Sequence, residues 1–571
     1  MHPLWKNACR KWLAWISGHR SVPTPLLPDQ KRPCVLGAWL AVSLGACQEV
    51  RHQLDYYSEM ERMTKAEIHI KGPFATLVNY PIEKVADALT AEDPSARHSR
   101  AFKEGRWDGK VELYNGQTFL AGLSSRVQRA IRENKDEAVI IDPDRPAPLD
   151  LSKFTRDIIP GITLWDHQYE GCLAMLTHPR CCIKAATSSG KTGMMFAVAK
   201  FLYQEQGIWT LVIVPKRGLV RQTVRRFREY AAGTNIICGQ MGDSIKSIGQ
   251  ITVGTPQTLA QFKSSYAGGK FRAGNVLIQK LLRKVGALLL DETHRASCKT
   301  WEDIAASCVN AKYRIGGSGT PIKHKLANDL QMIGLCGPLV FSASADVLIN
   351  AGLAAKPKIA IVMSENASGM NLPPMDYADA YTQGIVLNDA HNKMVIDCVE
   401  WMVLRRRRTL LLCRRLDHYA VLKKLLAERT MRFAAIEGAT LTDVRDRVKS
   451  LFSARRIDVI AATDIFSEGE DLPSIEAIVL AEGVKANTSA VQRIGRGMRL
   501  EKGGPADVWV VDTIPTCSKM LMRHGLARCE FYEKEGYDVR LVTHWPKDTD
   551  LKFDHNKLLP FLDWDKEIVT V

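Results

Sequence analysis

From Lys65 the chain alternates between apolar and polar positions. Ala66-Glu67-Ile68-His69-Ile70 puts apolar side chains on one face and polar ones on the other, the period of a half-buried strand. Gly72-Pro73 breaks that run, and residues 82–90 predict a short helix. Phe102 to Tyr114 holds Asp108-Gly109 between alternating flanks, which predicts a β-hairpin. Asp142-Pro143 through Pro148 reads as a linker. Residues 63–148 are therefore expected to form a small α+β domain.

From about residue 160 the texture changes. Short apolar runs (Cys181–Ala185, Thr210–Val214, Ile251–Val253, Ala287–Leu290, Arg314–Gly316) alternate with helical stretches. Strands buried on both faces read this way in parallel α/β sheets. The pattern resumes after about 350 with Thr409–Cys413, Phe433–Ile436, Asp458–Ala461, Ala477–Leu480 and Val508–Val511. Two parallel-sheet lobes are expected, at 149–345 and 346–520, with residues 521–571 a tail packing on them.

Composition narrows the class. With 571 residues, 46% hydrophobic and 25% charged, the chain has material for several cores. The net charge of +16 points to a polyanionic partner, nucleic acid being the commonest. Fourteen cysteines include no CxxC pair, and several sit in apolar runs, which suits a reduced, cytoplasmic protein rather than a disulfide or zinc framework. No apolar run reaches the ~18 residues of a membrane span. Lys31-Arg32, the run Val35 to Leu44 and Leu44-Gly45-Ala46-Cys47 imitate a lipoprotein signal, but the basic residues begin too far from Met1. Residues 1–62 are expected to be a poorly ordered extension, or the product of a start codon set upstream of Met60 or Met63.

Two motifs carry chemistry. Ala185-Ala186-Thr187-Ser188-Ser189-Gly190-Lys191-Thr192 follows a buried strand and opens a helix, the setting in which backbone N–H groups face phosphates. Ser188, Ser189 and Gly190 would line the phosphates, Lys191 would reach the β/γ groups, and Thr192 would bind Mg²⁺. Ala185 stands where the strict pattern has glycine. About 100 residues later, Asp291-Glu292-Thr293-His294 ends a second buried strand, at the edge where such sheets bind ligands. Asp291 would hold Mg²⁺, directly or through water, and Glu292 would polarise an attacking water. ATP with Mg²⁺ is the expected cofactor.

Together these residues resemble the superfamily-two helicases and translocases, whose fold is two RecA-like lobes. The resemblance extends over about 340 residues. Pro215-Lys216-Arg217-Gly218-Leu219-Val220-Arg221-Gln222 and Gly254-Thr255-Pro256-Gln257 are similar to the family's DNA-contacting motifs, and Ser318-Gly319-Thr320-Pro321 to the motif that couples hydrolysis to movement. Asp464 to Pro473, with Gly469 and Asp471 toward the nucleotide, resembles motif five. Gln492-Arg493-Ile494-Gly495-Arg496-Gly497-Met498-Arg499 resembles motif six, which implies that Gln492, Arg496 and Arg499 act with Lys191, Asp291, Glu292 and His294 in hydrolysis. Gln168 matches the adenine-recognition glutamine, whereas Trp165 stands where the family has arginine.

The string Gly105-Arg106-Trp107-Asp108-Gly109-Lys110 resembles the accessory domain of the UvsW-like helicases, which act on branched DNA. That resemblance implies DNA contacts by Arg106 and Lys110 and base stacking by Trp107. Trp107 as part of a small core is the equally weighted alternative. The arginine run 405–408 suits a DNA track and a solvated helix end alike. The expectation is an ATP-dependent motor on branched DNA in the cytoplasm, that of a bacterial host for a phage-encoded chain. Three alternatives stay open: a restriction-type duplex translocase, for which the tail after 520 leaves little room; an RNA helicase; and a DNA-binding scaffold without turnover.

Overall fold

The computed structural model describes residues 65–542, apart from 94, 187–188, 264–265, 268–269, 272, 294–298, 320–325, 365–371, 464–474, 482 and 484–506. The extension 1–62 and residues 543–571 of the tail lie outside the described residues.

The first domain is built on seven short strands: β1 (Ala66–Lys71), β2 (Phe74–Val78), β3 (Thr90–Glu92), β4 (Lys110–Glu112), β5 (Tyr114–Asn115), β6 (Thr118–Leu120) and β7 (Ala138–Ile141). Five form a sheet in the order β5-β6-β2-β1-β7. The alternation in β1 holds: Ala66, Ile68 and Ile70 are buried, and Glu67, His69 and Lys71 are not. The helix Ser124–Glu133 covers the sheet with Val127 and Ile131, four apart on one face.

The hairpin predicted across Asp108-Gly109 does not form. Residues Arg100–Lys103 are a short helix capped by the Ser99 hydroxyl, and β4 pairs antiparallel with β3 instead. Gly109 turns the chain at φ +83, and a Cβ there would lie 3.0 Å from the Phe102 ring. The turn residue serves a helix-to-strand corner, which its dipeptide signature does not distinguish from a hairpin. Residues 82–90 divide into a 3₁₀ turn, Ile82–Val85, a short helix, Ala86–Leu89, and the start of β3.

The first lobe contains β8 (Arg180–Ala185), β9 (Thr210–Ile213), β10 (Cys238–Gly242), β11 (Ile245–Ser247), β12 (Ile251–Gly254), a small hairpin β13 (Tyr266–Ala267) and β14 (Lys270–Phe271), β15 (Ala287–Asp291), β16 (Tyr313–Ser318) and β17 (Leu339–Ala343). Its eight-stranded sheet runs β11-β10-β12-β9-β15-β16-β8-β17 and is parallel except at β11. Successive residues of β15 enter different cores: Leu288 and Leu290 on one face, Ala287 and Leu289 on the other. That explains why its sequence is apolar throughout.

The core on the first of those faces does not stop at the lobe. Ile68, Leu120 and Leu123 of the first domain belong to the same buried cluster as Leu288, Leu330 and Cys336. The helix Ala327–Cys336 lies against the turn Ala121–Leu123 so closely that a Cβ on Gly122 would meet the Ile333 carbonyl at 2.0 Å. Arg180 donates to the Gly72 carbonyl at 2.6 Å, and Glu92 bridges to Leu326.

The second lobe contains β18 (Lys356–Ser364), β19 (Thr409–Leu412), β20 (Phe433–Ile436), β21 (Val459–Ala462), β22 (Ala477–Leu480), β23 (Asp507–Pro515) and β24 (Asp538–Val542). Its order is β20-β21-β19-β22-β23-β18-β24, parallel throughout. Residues read from sequence as a tail are thus part of the lobe. The helix Lys519–Lys534 packs on β23, and β24 is the edge strand of the sheet. Arg528 fixes that helix through two 2.8 Å bonds to Asp512, which also accepts the Tyr532 hydroxyl at 2.9 Å. All three residues are buried. The arginine run is structural too. Arg408 is buried on Glu476, Arg407 pairs with Asp507, and Arg405 lies over the Trp401 ring.

The expected architecture, two parallel α/β lobes behind a small α+β domain, is the one the chain adopts.

Candidate functional site

Sheet order assembles the site. β15, β16 and β8 are neighbours, so the three segments leaving their carboxyl ends converge although about 100 residues separate them in the chain. These strand ends and the segments that follow hold the acidic pair, Gly317-Ser318 at the end of β16, and the phosphate loop.

The loop turns into the helix Lys191–Gln206 at Gly190, the N-cap, whose φ of +83 lies in the left-handed region. A Cβ at 190 would also stand 2.1 Å from Nε2 of Gln168. That amide donates to the Ser189 carbonyl at 2.9 Å, and Nε2 of His167 lies 2.9 Å from the same oxygen. The helix Asp166–Thr177 thereby braces the loop from behind. His167 was not singled out from sequence; its place beside Gln168 at a helix start was the only signal. Lys191 Nζ donates to the Ala185 carbonyl at 3.0 Å and stands 4.0 Å from Oε1 of Glu292. Thr192 follows in the first turn of the helix.

Glu292 adopts φ +50, a conformation costly for a residue with a Cβ. Its N–H donates to Oδ1 of Asp291 at 2.9 Å. Burial, and then the negative charge of Glu292, raise the Asp291 carboxyl to about 7, and Lys191 offsets only part of this. Thr293 donates to the Gly317 carbonyl at 3.1 Å and so links the acidic pair to the next strand. Glycine at 316 and 317 permits that approach. A Cβ on Gly316 would meet Thr293 Cγ2 at 2.9 Å, and one on Gly317 would meet Met195 Cε at 2.9 Å. These two glycines were also missed from sequence, because a Gly-Gly pair inside a strand reads first as a bulge.

A triphosphate with a divalent cation fits these residues. The Ser189 hydroxyl is buried with no hydrogen-bond partner among the described residues. Two carboxyls face a single lysine, a charge arrangement that a dication would relieve. Groups of three or more His, Cys, Asp or Glu able to hold a metal by themselves do not occur among the described residues.

The residues expected at DNA divide into two groups. Lys216 and Arg217 are exposed at the start of the helix Arg217–Tyr230, with Pro215 partly covered. Thr255 is fully buried and caps the following short helix by accepting the Thr258 N–H at 3.3 Å, while Pro256 is that helix's buried first residue. In the first domain Arg106 is exposed and bonded to Glu104 at 2.8 Å, and Lys110 is exposed on β4. Trp107 is half-buried on the segment between the short helix and β4, its indole N–H donating to the Lys110 carbonyl at 2.7 Å. Ser188, His294, Gly469, Asp471, Gln492, Arg496 and Arg499 lie outside the described residues.

Comparison with known proteins gives two family matches. The family described as "Type III restriction enzyme, res subunit" matches residues 161–323, and "Helicase conserved C-terminal domain" matches residues 390–501. The ATP-dependent DNA helicase UvsW of Enterobacteria phage T4 is 21% identical over 508 residues, covering 81% of this chain and 95% of that protein. The DNA 3'-5' translocase XPB2 of Sulfurisphaera tokodaii is 24% identical over 439 residues, covering 70% and 91%. Among solved structures, T4 UvsW aligns over 84% of this chain and 99% of its own at 20% identity, with a TM-score of 0.42.

Proposed function

We infer that the chain belongs to the superfamily-two helicases, an ATP-hydrolysing helicase with two RecA-like lobes, and we propose that it drives movement on branched DNA such as forks, junctions and recombination intermediates. One observation carries the catalytic reading: Lys191, Asp291, Glu292 and the Gly190 turn come together at the carboxyl ends of β8 and β15, on either side of β16.

In this reading Gly190, Ser189 and the first amides of the helix Lys191–Gln206 cradle the phosphates. Lys191 leaves the Ala185 carbonyl for the β/γ oxygens. Asp291 and Thr192 would hold Mg²⁺, which would supply positive charge beside the phosphates. Glu292 orients the attacking water. Arg496 and Arg499 would bring positive charge from the second lobe, and Gln492, His294, Gly469 and Asp471 would complete the site as the family motifs imply. Gln168 holds the loop and meets the base.

The branched-DNA assignment rests on the similarity to UvsW across most of both chains and on Arg106, Trp107 and Lys110 of the first domain. Thr255 would act on DNA through the position of its helix, since its hydroxyl is occupied as a cap. ATP turnover measured with single-strand, duplex, fork, four-way-junction and RNA substrates tests the proposal. Strongest stimulation by fork or junction DNA is expected. Equal stimulation by plain duplex would favour a duplex translocase, and stimulation by RNA alone an RNA helicase. No turnover with any substrate would leave a binding scaffold.

A further inference from the structure

The helix Arg217–Tyr230 carries five arginines and one glutamate. Val220, Thr223, Val224 and Phe227 bury its inner face, so the arginines are confined to the outer one. Arg217, Arg221, Arg225 and Arg228 follow one another at intervals of four, four and three residues, which at 3.6 residues per turn keeps them within about 80° of each other. The row spans roughly 16 Å at 1.5 Å per residue.

A groove of about 390 Å³ opens beside this row, lined by Arg221, Val224, Arg225, Arg228, Glu229 and Gln240. Its carboxylates are few. Glu229 lies 3.8 Å from Arg225 and 3.5 Å from Arg226, and Asp243, in the turn between β10 and β11, pairs with Arg221 at 2.6 Å. Arg228 has no ion-pair partner among the described residues. Exposed pairs of this kind contribute little to stability and are screened by salt.

We propose that this groove binds the phosphodiester backbone of the nucleic acid, as a second contact continuing from Lys216 and Arg217 at the start of the same helix. Duplex DNA presents one charge per ~1.7 Å of axis, so a row of this length faces several phosphates. Arginine is the side chain best matched to them, through its planar fork of donors. Continuity with Lys216 and Arg217 and the chain's net charge of +16 favour nucleic acid over an acidic protein. The proposal rests on the DNA-motor reading, and its test separates the two.

The double variant R225Q/R228Q leaves the Arg221–Asp243 pair intact, and R225K/R228K keeps the charge. DNA affinity is measured for the full chain by fluorescence anisotropy of a labelled duplex between 50 and 200 mM salt, the concentrations being chosen on the order of those over which counterion release is resolved. The expected result is a slope of log K against log salt smaller by about 1.8 in R225Q/R228Q, about 0.9 for each phosphate no longer neutralised, and near wild type in R225K/R228K. Melting temperature and DNA-free ATP turnover should match wild type in both. An unchanged slope in R225Q/R228Q overturns the proposal, including the case in which only binding of a polyglutamate peptide weakens, which would make the groove a protein-docking surface. Failure of the wild-type chain to bind DNA at all would overturn the DNA-motor reading instead.

Discussion

The side-chain amide of Gln168 donates to the backbone carbonyl of Ser189 at 2.9 Å and occupies the space that a side chain at Gly190 would need. The glutamine expected from sequence to meet adenine is therefore also a strut for the phosphate loop. Gln168→Ala should raise KM for ATP about tenfold, the equivalent of one hydrogen bond of ~1–1.5 kcal/mol, with a smaller change in kcat. Gly190→Ala should abolish nucleotide binding, since it combines backbone strain with a steric clash. Fluorescent-nucleotide titration checks both, and tight binding by Gly190→Ala would remove the loop from the site.

Turnover separates the roles around Lys191. Lys191→Ala should lose phosphate binding. Glu292→Gln should bind ATP and DNA yet hydrolyse almost nothing. Arg496→Ala should keep nucleotide affinity and lose ~10³-fold or more in kcat, the usual contribution of an arginine finger. Near-normal DNA-stimulated turnover in Arg496→Ala would exclude that residue from the reaction.

Asp291 sets a dependence on pH. An aspartate carboxyl normally titrates near 3.8, and in the folded chain burial and Glu292 raise this one to about 7. Between those values the unfolded state holds fewer protons, so this group's contribution to stability falls as pH rises and is fully lost above about 7. Asp291→Asn should therefore melt higher than wild type at pH 8 without Mg²⁺ or ATP, by a few degrees at ~2–4 °C per kcal/mol. The difference should shrink toward pH 4, and ATP turnover should be lost. A variant that melts lower at pH 8 would show that the carboxylate is well accommodated.

In the second lobe Asp512 is completely buried and accepts hydrogen bonds from Arg528 and Tyr532. Asp512→Ala strands a buried guanidinium and should cost ~3–5 kcal/mol, read as a lower denaturant midpoint. A replacement that removes both charges, such as D512L with R528M, should recover much of the loss. Equal instability of the single and double variants would mean that the pair itself, not the orphaned charge, sets the cost.

Trp107 separates stacking from packing. Its indole N–H is committed to the Lys110 carbonyl and its ring is half-buried. Trp107→Ala should weaken fork or four-way-junction binding by about tenfold to a hundredfold, the equivalent of ~1–3 kcal/mol of stacking, and leave duplex binding nearly unchanged. Circular dichroism and Tm accompany the measurement, because destabilisation with equal loss on every DNA form would make Trp107 structural.

Local signals were legible where one residue type has few uses. Gly190-Lys191-Thr192 after a buried strand and Asp291-Glu292 after another mark the candidate site from sequence alone, and the structure brings these residues near one another. The apolar runs marked the sheets because strands buried on both faces leave few positions for polar residues. Long-range partners were not legible. Asp108-Gly109 suits several corners, and only the pairing of β4 with β3 decides which. The arginine run 405–408 looks like a surface until Glu476, nearly 70 residues away, is placed beneath Arg408. Residues 521–542 lack the apolar run of the central strands, as an edge strand can, and so resembled a tail.

The close fit of Gly122 beneath Ile333 means that the linker read at Asp142 to Pro148 is not a hinge. The residues between Pro143 and Pro148 join two parts that already share one hydrophobic interior. Lengthening that segment should therefore leave the reach of Trp107 unaltered. Any rotation of the first lobe carries the small domain with it, and its far end sweeps an arc in proportion to its distance from the rotation axis. A small angular step of the lobe then becomes a larger linear displacement at the far end of the small domain.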